Sequence, residues 1–384
     1  MASGSRVSTT PTTPAVAFVL PSLNGGGAER AALNLHHYSS LDTRLIVERA
    51  AGDLLADPMA LDAISLDLPA SAGRTARVTR LARSLRQLQP SVVVAVLSPW
   101  TVGLAARSSK SHVIYWLQNP SYFMPGIERD NQSPGGRLGL RTLALLADAI
   151  AGAAPGLTDE WAKAGVPASK LAVLPNGIEL PLEPPHSQSH RDSQILRLLT
   201  IGRLAPQKRH DLLIRALAQI RTHRPAELTV LGRGNCESEL RALAESLGVG
   251  SYVHFAGFVS EPSRYLASTD IFVLGSDFEG FGNVIVEALG YGLPVVCTDA
   301  PYGPRFIAGD CPAVRLVQPG DPNAIADTVL SVAEQGCGRW IADARARAAE
   351  FSVQRVCSHF DLLVEQVICE GQLPVWQDSS SSGT

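Results

Sequence analysis

Short runs of apolar residues alternate along this chain with longer segments in which apolar positions recur every three or four residues. The short runs are typical of strands buried on both faces, and the longer segments have the spacing of amphipathic helices. In the first half the predicted strands are Ala15–Leu20, Ser91–Leu97, His112–Trp116 and Leu171–Leu174, and a predicted helix, Ala28–Tyr38, follows the first of them. This alternation predicts a parallel sheet with helices on both faces.

The same alternation begins again after Pro181–Ser193, a segment rich in Pro, Ser and His that has no periodicity. The predicted strands beyond it are Leu196–Ile201, Leu228–Leu231, Tyr252–Phe255, Ile271–Leu274 and Pro294–Thr298, and the predicted helices are Arg209–Arg221, Glu237–Leu247 and Asn283–Leu289. We therefore predict an α/β protein of two Rossmann-like domains that face each other across a cleft, because ligands bind at the carboxyl ends of parallel strands.

The predicted domains are residues 1–185 and 186–374, with the final helices packing back toward the first domain. Small polar residues dominate 1–14 and 375–384, which predicts disordered tails. The N-terminal segment lacks the long apolar run of a signal peptide, and no apolar run approaches the length of about 18 residues that spans a membrane. We therefore expect a cytoplasmic protein.

Composition narrows the classes of function. The 384 residues include 33 Lys and Arg against 36 Asp and Glu, for a formal net charge of -3. That balance argues against a general nucleic-acid binder, which needs a large basic surface. The six cysteines include no closely spaced pair of the zinc-binding or redox type, so we interpret them as buried thiols in a reducing compartment.

A glycine-rich turn, Asn24–Arg30 (NGGGAER), separates the first predicted strand from the first helix. Glycines let a ligand approach the backbone, and the helix that follows offers free N–H groups and the positive end of its dipole. Gly25 and Gly27, with Glu48 about 20 residues further on, partly match a dinucleotide-binding fingerprint, but Arg30 replaces its third glycine. A tight turn without a ligand is the alternative interpretation.

Two cations lie five positions apart in the loop after the first strand of the second half. Arg203 and Lys208 belong to the run GRLAPQK, which leads into a predicted helix. Placed on a strand-end loop, they could hold a diphosphate from two directions. Two solvated cations on a surface loop are the ordinary alternative.

A second glycine-rich turn, DFEGFGN, lies between a strand and a helix and carries two glutamates. Glu279 lies in the loop, and Glu287 lies about two turns into the helix. The first N–H groups of this helix are suited to a phosphate, and the carboxylates to sugar and ribose hydroxyls. Glu287 has apolar neighbours nearly all round, so it needs a partner, whereas an ordinary surface glutamate would not.

Together these motifs resemble family 4 retaining glycosyltransferases of GT-B fold, the glycosyltransferase group 1 type. The matching segments are NGGGAER at Asn24–Arg30, LPNGI at Leu174–Ile178, GRLAPQKRHDLLIRA at Gly202–Ala216, LGRG at Leu231–Gly234, FAGFV at Phe255–Val259 and the long run Asp277–Pro304. The last contains the paired glutamates of the family and is the most specific. The resemblance covers about residues 15–310 and implies a nucleotide diphosphate-sugar held mainly by the second domain.

The resemblance also implies a role for each matching residue. Arg203 and Lys208 would neutralise the diphosphate, Glu287 would bind the ribose, and Glu279 would bind hydroxyls of the donor sugar. Glu279, Arg203 and Lys208 are the residues expected to carry catalysis. The further donor contacts expected are Gly280, Phe281, Gly282 and Asn283 through backbone amides, Gly257 and Phe258 beside the base, and Gly26 and Gly27 against the diphosphate.

The expected reaction is transfer of a hexose or N-acetylhexosamine with retention of configuration to a hydroxyl of a glycan or lipid-linked saccharide. Family frequency favours UDP over GDP as the nucleotide. No D-x-D motif occurs, so we expect neither a metal ion nor another cofactor, with the two cations and a helix N-terminus stabilising the leaving phosphate instead. No second carboxylate is placed as a nucleophile, which favours attack on the same face as departure.

The acceptor side is less clear from the sequence. Gln118 and Asn119 lie where many relatives have histidine followed by asparagine, and we expect them on the acceptor side. Arg80 and Arg83 lie opposite an apolar helical stripe and would attract an anionic lipid headgroup or membrane surface, or else form a solvated helix face. The loop 120–136 would line an acceptor groove or pack as an ordinary loop.

Two other functions remain open from the sequence. A nucleotide-sugar epimerase of the same fold would convert free donor without an acceptor, and it would need acid and base residues that these motifs do not supply. A non-catalytic relative that serves as an assembly partner would bind nucleotide sugar without turnover. The non-catalytic function is disfavoured because the two cations and the two glutamates are all present.

Overall fold

The computed structural model describes residues 15–121, 133–182 and 195–377. Two parallel sheets form its centre. The strands of the first are β1 (Ala15–Leu20), β2 (Asp42–Val47), β3 (Ile64–Ser65), β4 (Val92–Val96), β5 (His112–Leu117), β6 (Ala149–Gly152) and β7 (Leu171–Val173), in the spatial order β3-β2-β1-β4-β5-β6-β7.

The second sheet has the order β10-β9-β8-β11-β12-β13, again with parallel neighbours. Its strands are β8 (Leu196–Ile201), β9 (Ala226–Leu231), β10 (Val253–Gly257), β11 (Ile271–Leu274), β12 (Val295–Thr298) and β13 (Val314–Val317). In both sheets the strand order reverses beside the first strand, at β1 and at β8. Folds of this kind bind ligands in the crevice at such a reversal.

Helices connect the strands and cover the sheets. Those of the first half are α1 (Gly27–Tyr38), α2 (Arg74–Leu88), α3 (Pro99–Ala106), α4 (Pro134–Ala144) and α5 (Pro155–Lys163). Those of the second half are α6 (His210–His223), α7 (Glu237–Ser246), α8 (Ser263–Ala267), α9 (Asn283–Gly290), α10 (Gly303–Ala308), α11 (Pro322–Gln335), α12 (Ile341–Glu350) and α13 (Val353–Ile368). No described helix is long and apolar enough to cross a membrane.

Strand β2 was not among the predicted strands, and its residues explain why. Asp42 and Arg44 are exposed and bonded to each other, with Arg44 Nη1 donating to Asp42 Oδ1 at 2.6 Å, so the run of apolar residues is short. The inner residues Leu45, Ile46 and Val47 are fully buried beside β1. A strand with an exposed end lacks the continuous apolar run that marks the central strands.

The last helix crosses back to the first sheet. Phe360 of α13 packs on Phe18 of β1 with ring centroids 5.4 Å apart, and Ser352 pairs with Ile178 in an isolated bridge just before α13 begins. The core around β1 therefore includes side chains from near both ends of the described chain.

The predicted tail at 375–384 differs from the structure at Trp376. Its ring stacks on Phe351 with centroids 6.3 Å apart and lies edge-on to His359 at 5.0 Å. The predicted tail at 1–14, the remainder of the C-terminal tail at 378–384 and the predicted domain boundary at 185/186 lie outside the described residues.

Candidate active site between the two sheets

The centre of the site is an ion pair at the carboxyl ends of two adjacent strands. Lys208 ends the short helical turn after β8, and Glu279 lies in the loop after β11. Lys208 Nζ donates to both carboxylate oxygens of Glu279, at 2.6 Å to Oε1 and 2.8 Å to Oε2. The exposed fractions of the two side chains are only 16% and 8%, so this charge pair is largely removed from water.

Neutral groups hold the Glu279 loop in place. Ser276 Oγ donates to Glu279 Oε1 at 2.6 Å, and Thr298 Oγ1 donates to the carbonyl of Ser276 at 2.6 Å. The backbone of Glu279 also pairs with that of Tyr302, and the Gly303 N–H donates to the Glu279 carbonyl at 3.0 Å. Both oxygens of the carboxylate thus accept hydrogen bonds in a rigid setting.

Helix α9 begins directly after this loop. Gly282 precedes it with φ of +100°, a backbone conformation that favours glycine, and no side chain caps the helix. The N–H groups of Asn283 and Val284 therefore have no intrahelical partner, whereas that of Ile285 donates to the Gly282 carbonyl at 2.9 Å. Glu287 is partly buried one turn further on, and burial raises the pKa of its carboxyl to about 7 although the charge of Arg30 opposes the shift.

The glycine turn of the first domain faces this helix across the cleft. Asn283 Nδ2 at the start of α9 donates to the carbonyl of Gly27 at 3.1 Å. A Cβ on Gly26 would lie 2.5 Å from Glu29 Oε2, so the Glu29 carboxylate folds back over the turn. Burial raises the pKa of Glu29, while its own backbone N–H and the charge of Arg203 oppose that shift. Arg203 itself is exposed on the second domain.

The predicted base-binding residues lie at the end of β10. Gly257 ends that strand with φ of +72°, and its Cβ position is 3.6 Å from Arg233 Nε. Phe258 follows with 46% of its surface exposed. An exposed ring beside a strand end is a suitable platform for a planar base.

The acceptor-side residues divide into two places. Gln118 follows β5, is only 7% exposed and exchanges two hydrogen bonds with Asn176, and it lines a cavity of about 40 Å³ together with Asn119, Pro99 and Leu97. That cavity opens at the carboxyl ends of β4 and β5. Of the predicted acceptor loop at 120–136, residues 122–132 lie outside the described residues, and 134–136 are not loop but the first turn of α4, where proline at the first helical position is favourable.

Arg80 and Arg83 are not brought together with this cleft. Both are exposed on α2, where they line an open hollow of about 620 Å³ with Leu66 and Asp67 beside the edge strand β3. Arg80 Nε donates to the Leu66 carbonyl at 3.2 Å. The hollow is larger than the cavity at Gln118, yet it lies at the outer edge of the first sheet and contains neither the paired charges nor a glycine turn.

A dinucleotide-binding turn at 24–30 would need the carboxylate of Glu48 to be available to a ribose. Glu48 is 1% exposed and accepts a hydrogen bond from Arg77 Nη1 at 3.0 Å. A carboxylate buried in an ion pair is not presented to a ribose.

Sequence reasoning assigned no role to four residues that the structure places at the site: Glu29, Asn176, Ser276 and Tyr302. Asn176 lies in the LPNGI motif and had a recognisable signal. Ser276 precedes the motif by one residue, and Tyr302 donates to Glu160 Oε1 at 2.5 Å across 142 positions, which no local pattern indicates. Among the described residues no group of three or more His, Cys, Asp or Glu side chains could hold a metal ion.

Comparison with known proteins agrees with this geometry. Residues 196–335 match the sequence model of the family described as glycosyl transferases, group 1. Over these residues the second domain is similar to this family. The match includes Lys208, Glu279 and Glu287, and the predicted resemblance is therefore confirmed.

Curated relatives of this glycosyltransferase domain match part of the chain. Over 128 residues it is 39% identical to N-acetylgalactosamine-N,N'-diacetylbacillosaminyl-diphospho-undecaprenol 4-alpha-N-acetylgalactosaminyltransferase of Campylobacter jejuni, covering 33% of this chain and 34% of that protein. Over 158 residues it is 33% identical to GDP-mannose-dependent monoacylated alpha-(1-6)-phosphatidylinositol monomannoside mannosyltransferase of Corynebacterium glutamicum, covering 38% of this chain and 40% of that protein. These matches span well under half the length of either relative.

The fold extends the likeness to both domains. The crystal structure of HepE from Anabaena in complex with UDP-glucose matches with a TM-score of 0.75 and 20% identity, covering 93% of this chain and 100% of that one. Two parallel α/β domains in this arrangement are the GT-B fold, as predicted from the sequence.

Proposed function

We propose that this protein is a retaining glycosyltransferase that moves a hexose or N-acetylhexosamine from a nucleotide diphosphate-sugar to a hydroxyl of a glycan or lipid-linked saccharide. The observation that carries the proposal is the buried Lys208–Glu279 pair beside the free N-terminus of α9. A cation next to unpaired N–H groups attracts a diphosphate, and an anchored carboxylate accepts sugar hydroxyls. The names of the relatives, which describe sugar transfer to lipid-linked acceptors, support the acceptor class.

In this proposal the charge that develops on the departing diphosphate is stabilised by fixed groups. Lys208, Arg203 and the N–H groups of α9 supply positive charge on one side, and the turn at Gly26 and Gly27 supplies backbone N–H groups on the other. Glu287 accepts hydrogen bonds from the ribose, and Phe258 borders the base. UDP is the nucleotide we propose, and HepE, whose structure holds UDP-glucose, has the same fold.

We base the proposal that the acceptor attacks on the face from which the diphosphate leaves on the hydrogen bonds of Glu279. Its Oε1 accepts from both Lys208 and Ser276, and its Oε2 accepts from Lys208, so neither oxygen is left as a free nucleophile. The acceptor hydroxyl would therefore attack from the side on which the diphosphate leaves and pass its proton to that phosphate. Trapping a glycosyl group on Glu279, detected by mass spectrometry of the intact protein, would contradict this.

A thermal-shift panel of UDP-, GDP-, ADP- and dTDP-sugars tests the proposal first, because a ligand that binds only the folded state raises the melting temperature. We expect one nucleotide series to raise it and the free sugars to leave it unchanged. Release of nucleotide is then measured with and without saccharide acceptors. Conversion of free donor to its epimer without an acceptor would establish the epimerase instead, and saturable binding without turnover on any acceptor would establish the non-catalytic function.

The proposed metal independence is tested on the same reaction. Turnover is measured after exhaustive dialysis against EDTA and again with added Mg²⁺ or Mn²⁺. We expect equal rates in all three conditions. A rate that collapses in EDTA and returns with the metal would show that a cation performs the charge stabilisation that we assign to Lys208 and Arg203.

A further inference from the structure

Three side-chain amides form hydrogen bonds that connect the two domains beside the proposed site. Gln118 follows β5, Asn176 follows β7, and Asn283 is the first residue of α9, so the first two belong to the first domain and the third to the second. We call these three residues the amide relay. The relay ends on the carbonyl of Gly27, in the glycine turn of the first domain.

Asn176 is the centre of the relay, and all of its hydrogen-bonding groups are engaged. Its Nδ2 donates to Gln118 Oε1 at 3.0 Å and to Asn283 Oδ1 at 2.8 Å, and its Oδ1 accepts from Gln118 Nε2 at 2.8 Å. Only 2% of the residue is exposed. A buried amide with both donors and its acceptor in use has one orientation, since the reversed amide would place donor against donor.

The orientation of Asn176 determines that of Asn283. Because Asn283 Oδ1 accepts from Asn176, its Nδ2 is turned toward Gly27, to whose carbonyl it donates. The relay therefore sets the distance between the first turn of α9 and the glycine turn that faces it. These are the two backbone elements that we propose to hold the diphosphate from opposite sides.

A backbone contact beside the relay makes the same connection. A Cβ on Gly280 would lie 1.9 Å from the carbonyl oxygen of Gln118, so the donor loop rests directly on the residue that pairs with Asn176. The second domain thus meets the first at two neighbouring strand ends, through the backbone of Gly280 on Gln118 after β5 and through the side chain of Asn283 on Asn176 after β7. Two separate contacts fix an orientation, whereas one would allow rotation.

We infer that Asn176 is a positioning residue, which sets the first turn of α9 against the glycine turn of the first domain through its bonds to Gln118 and Asn283. The inference rests on the proposed function where it concerns turnover, because it deepens the account of that same site. The relay itself can be measured without any substrate. Asn176 touches neither the donor nor the reacting atoms in this account and acts only through Asn283.

Two variants and a matched control test the inference. Asn176→Asp keeps size and shape but turns an acceptor toward the Oδ1 of Asn283 and the Oε1 of Gln118. Asn283→Ala removes the amide at the other end of the relay, at a partly exposed position. Asn34→Ala is the control, because Asn34 is also a buried asparagine. Its Nδ2 donates to the carbonyl of Gly177 at 2.8 Å, one residue from Asn176, and within the described residues it forms no hydrogen bond to α9.

Hydrogen exchange of the unliganded proteins is the first readout. We expect the amides of Arg30 and Ile285, which donate to the carbonyls of Gly26 and Gly282, to exchange about 10-fold faster in Asn176→Asp and in Asn283→Ala, and at the wild-type rate in Asn34→Ala. Wild-type protection in both relay variants would overturn the inference whether or not the protein transfers sugar. A nucleotide-sugar panel without any hit would defeat the proposed function and leave this readout intact.

Steady-state kinetics with the donor found in the panel is the second readout. Misplacement by a fraction of an ångström lowers kcat more than it changes the donor KM, so we expect kcat to fall on the order of 10- to 100-fold in each relay variant. The double variant should lose little more than either single variant, because both break one connection. Unchanged kcat in both, or fully additive losses, would show that the relay does not position α9 for transfer.

Discussion

The two glycine turns of this protein have similar sequences and different surroundings. Each lies between a parallel strand and a helix, the first at 24–27 and the second at 280–282. In the second turn, a Cβ on Gly280 would strike the backbone of Gln118 at 1.9 Å. In the first, a Cβ on Gly26 would meet only the end of the Glu29 side chain, which is free to rotate away.

Charge separates the two turns further. The second has the Lys208–Glu279 pair before its helix, whereas the first is covered by the carboxylate of its own Glu29. In our proposal both turns offer backbone N–H groups to the diphosphate, but only the second has a cation placed beside it by the tertiary structure. Four substitutions test this contrast.

Lys208→Ala should have the largest effect. It removes the cation beside α9 and leaves the buried Glu279 without its charged partner, so we expect donor affinity to fall about 100-fold or more and the free energy of unfolding to fall by about 1–3 kcal/mol. Isothermal titration with the donor and denaturant unfolding measure the two effects. Lys163→Ala, at an exposed lysine of the first domain, is the control. Equal donor affinity in both variants would mean that the diphosphate lies elsewhere.

Gly280→Ala should have the next largest effect. The added methyl group has no side chain to displace, only the backbone of Gln118, so the domains must separate or the loop must shift. We expect a loss of about 1–3 kcal/mol in unfolding free energy and roughly 10-fold weaker donor binding. A crystal structure of the variant with the domains in unchanged contact would contradict the close approach.

Glu287→Gln should give a smaller effect that depends on pH. Burial holds the pKa of Glu287 in the folded protein at about 7, above the ordinary value of 4.5, so the folded state binds a proton that the unfolded chain releases between these values. Wild-type stability from this group therefore falls as pH rises from 4.5 to 7. We expect the unliganded variant to be more stable than wild type by on the order of 1–2 kcal/mol at pH 8 and equal to it at pH 4.

The same substitution should weaken donor binding at pH 8, where the ionised carboxylate is the better acceptor for ribose hydroxyls. For the wild type, donor affinity should fall as pH drops through 7, and the variant should not follow that decline. Chemical denaturation and titration at pH 4, 6 and 8 separate the two effects. A stability difference that is independent of pH would mean that Glu287 does not titrate in this range.

Gly26→Ala should have the smallest effect on stability. Only the flexible Glu29 carboxylate lies near the new methyl group, and the φ of Gly26, -80°, is one that alanine adopts. We expect unfolding free energy within about 0.5 kcal/mol of wild type, with donor affinity reduced several-fold because the methyl group lies between diphosphate and turn. A loss of stability as large as that of Gly280→Ala would remove the contrast between the turns.

Much of the fold and part of the site could be predicted from local pattern. Continuous apolar runs identified β1, β4 and β8, because strands covered on both faces must be apolar throughout. Strand β2 was not predicted, because its first residues are exposed and its apolar run is short. Lys208 and Glu279 were identified as site residues because each lies in a loop at the carboxyl end of a strand, and the two strands proved to be neighbours.

Other predictions needed more than local pattern. Arg80 and Arg83 formed a clear basic face in the sequence, but the structure places them along the outer edge of the first sheet, away from the cleft. Helical spacing defines which face a residue occupies and contains no information on what that face meets. The expected place of Gln118 beside the acceptor stays a prediction, and the structure adds that its side chain exchanges two hydrogen bonds with Asn176.

The sequence by itself determined the two parallel α/β domains, the strand-end loops and the residue types suited to a diphosphate, because these depend on periods of two to four residues and on motifs of a few positions. Tertiary structure alone decided that Asn176 would meet Asn283, 107 positions away, and that Gly280 would rest on Gln118. Contacts between domains depend on how two finished surfaces fit. That fit is a property of the packed chain as a whole, and no local window of sequence contains it.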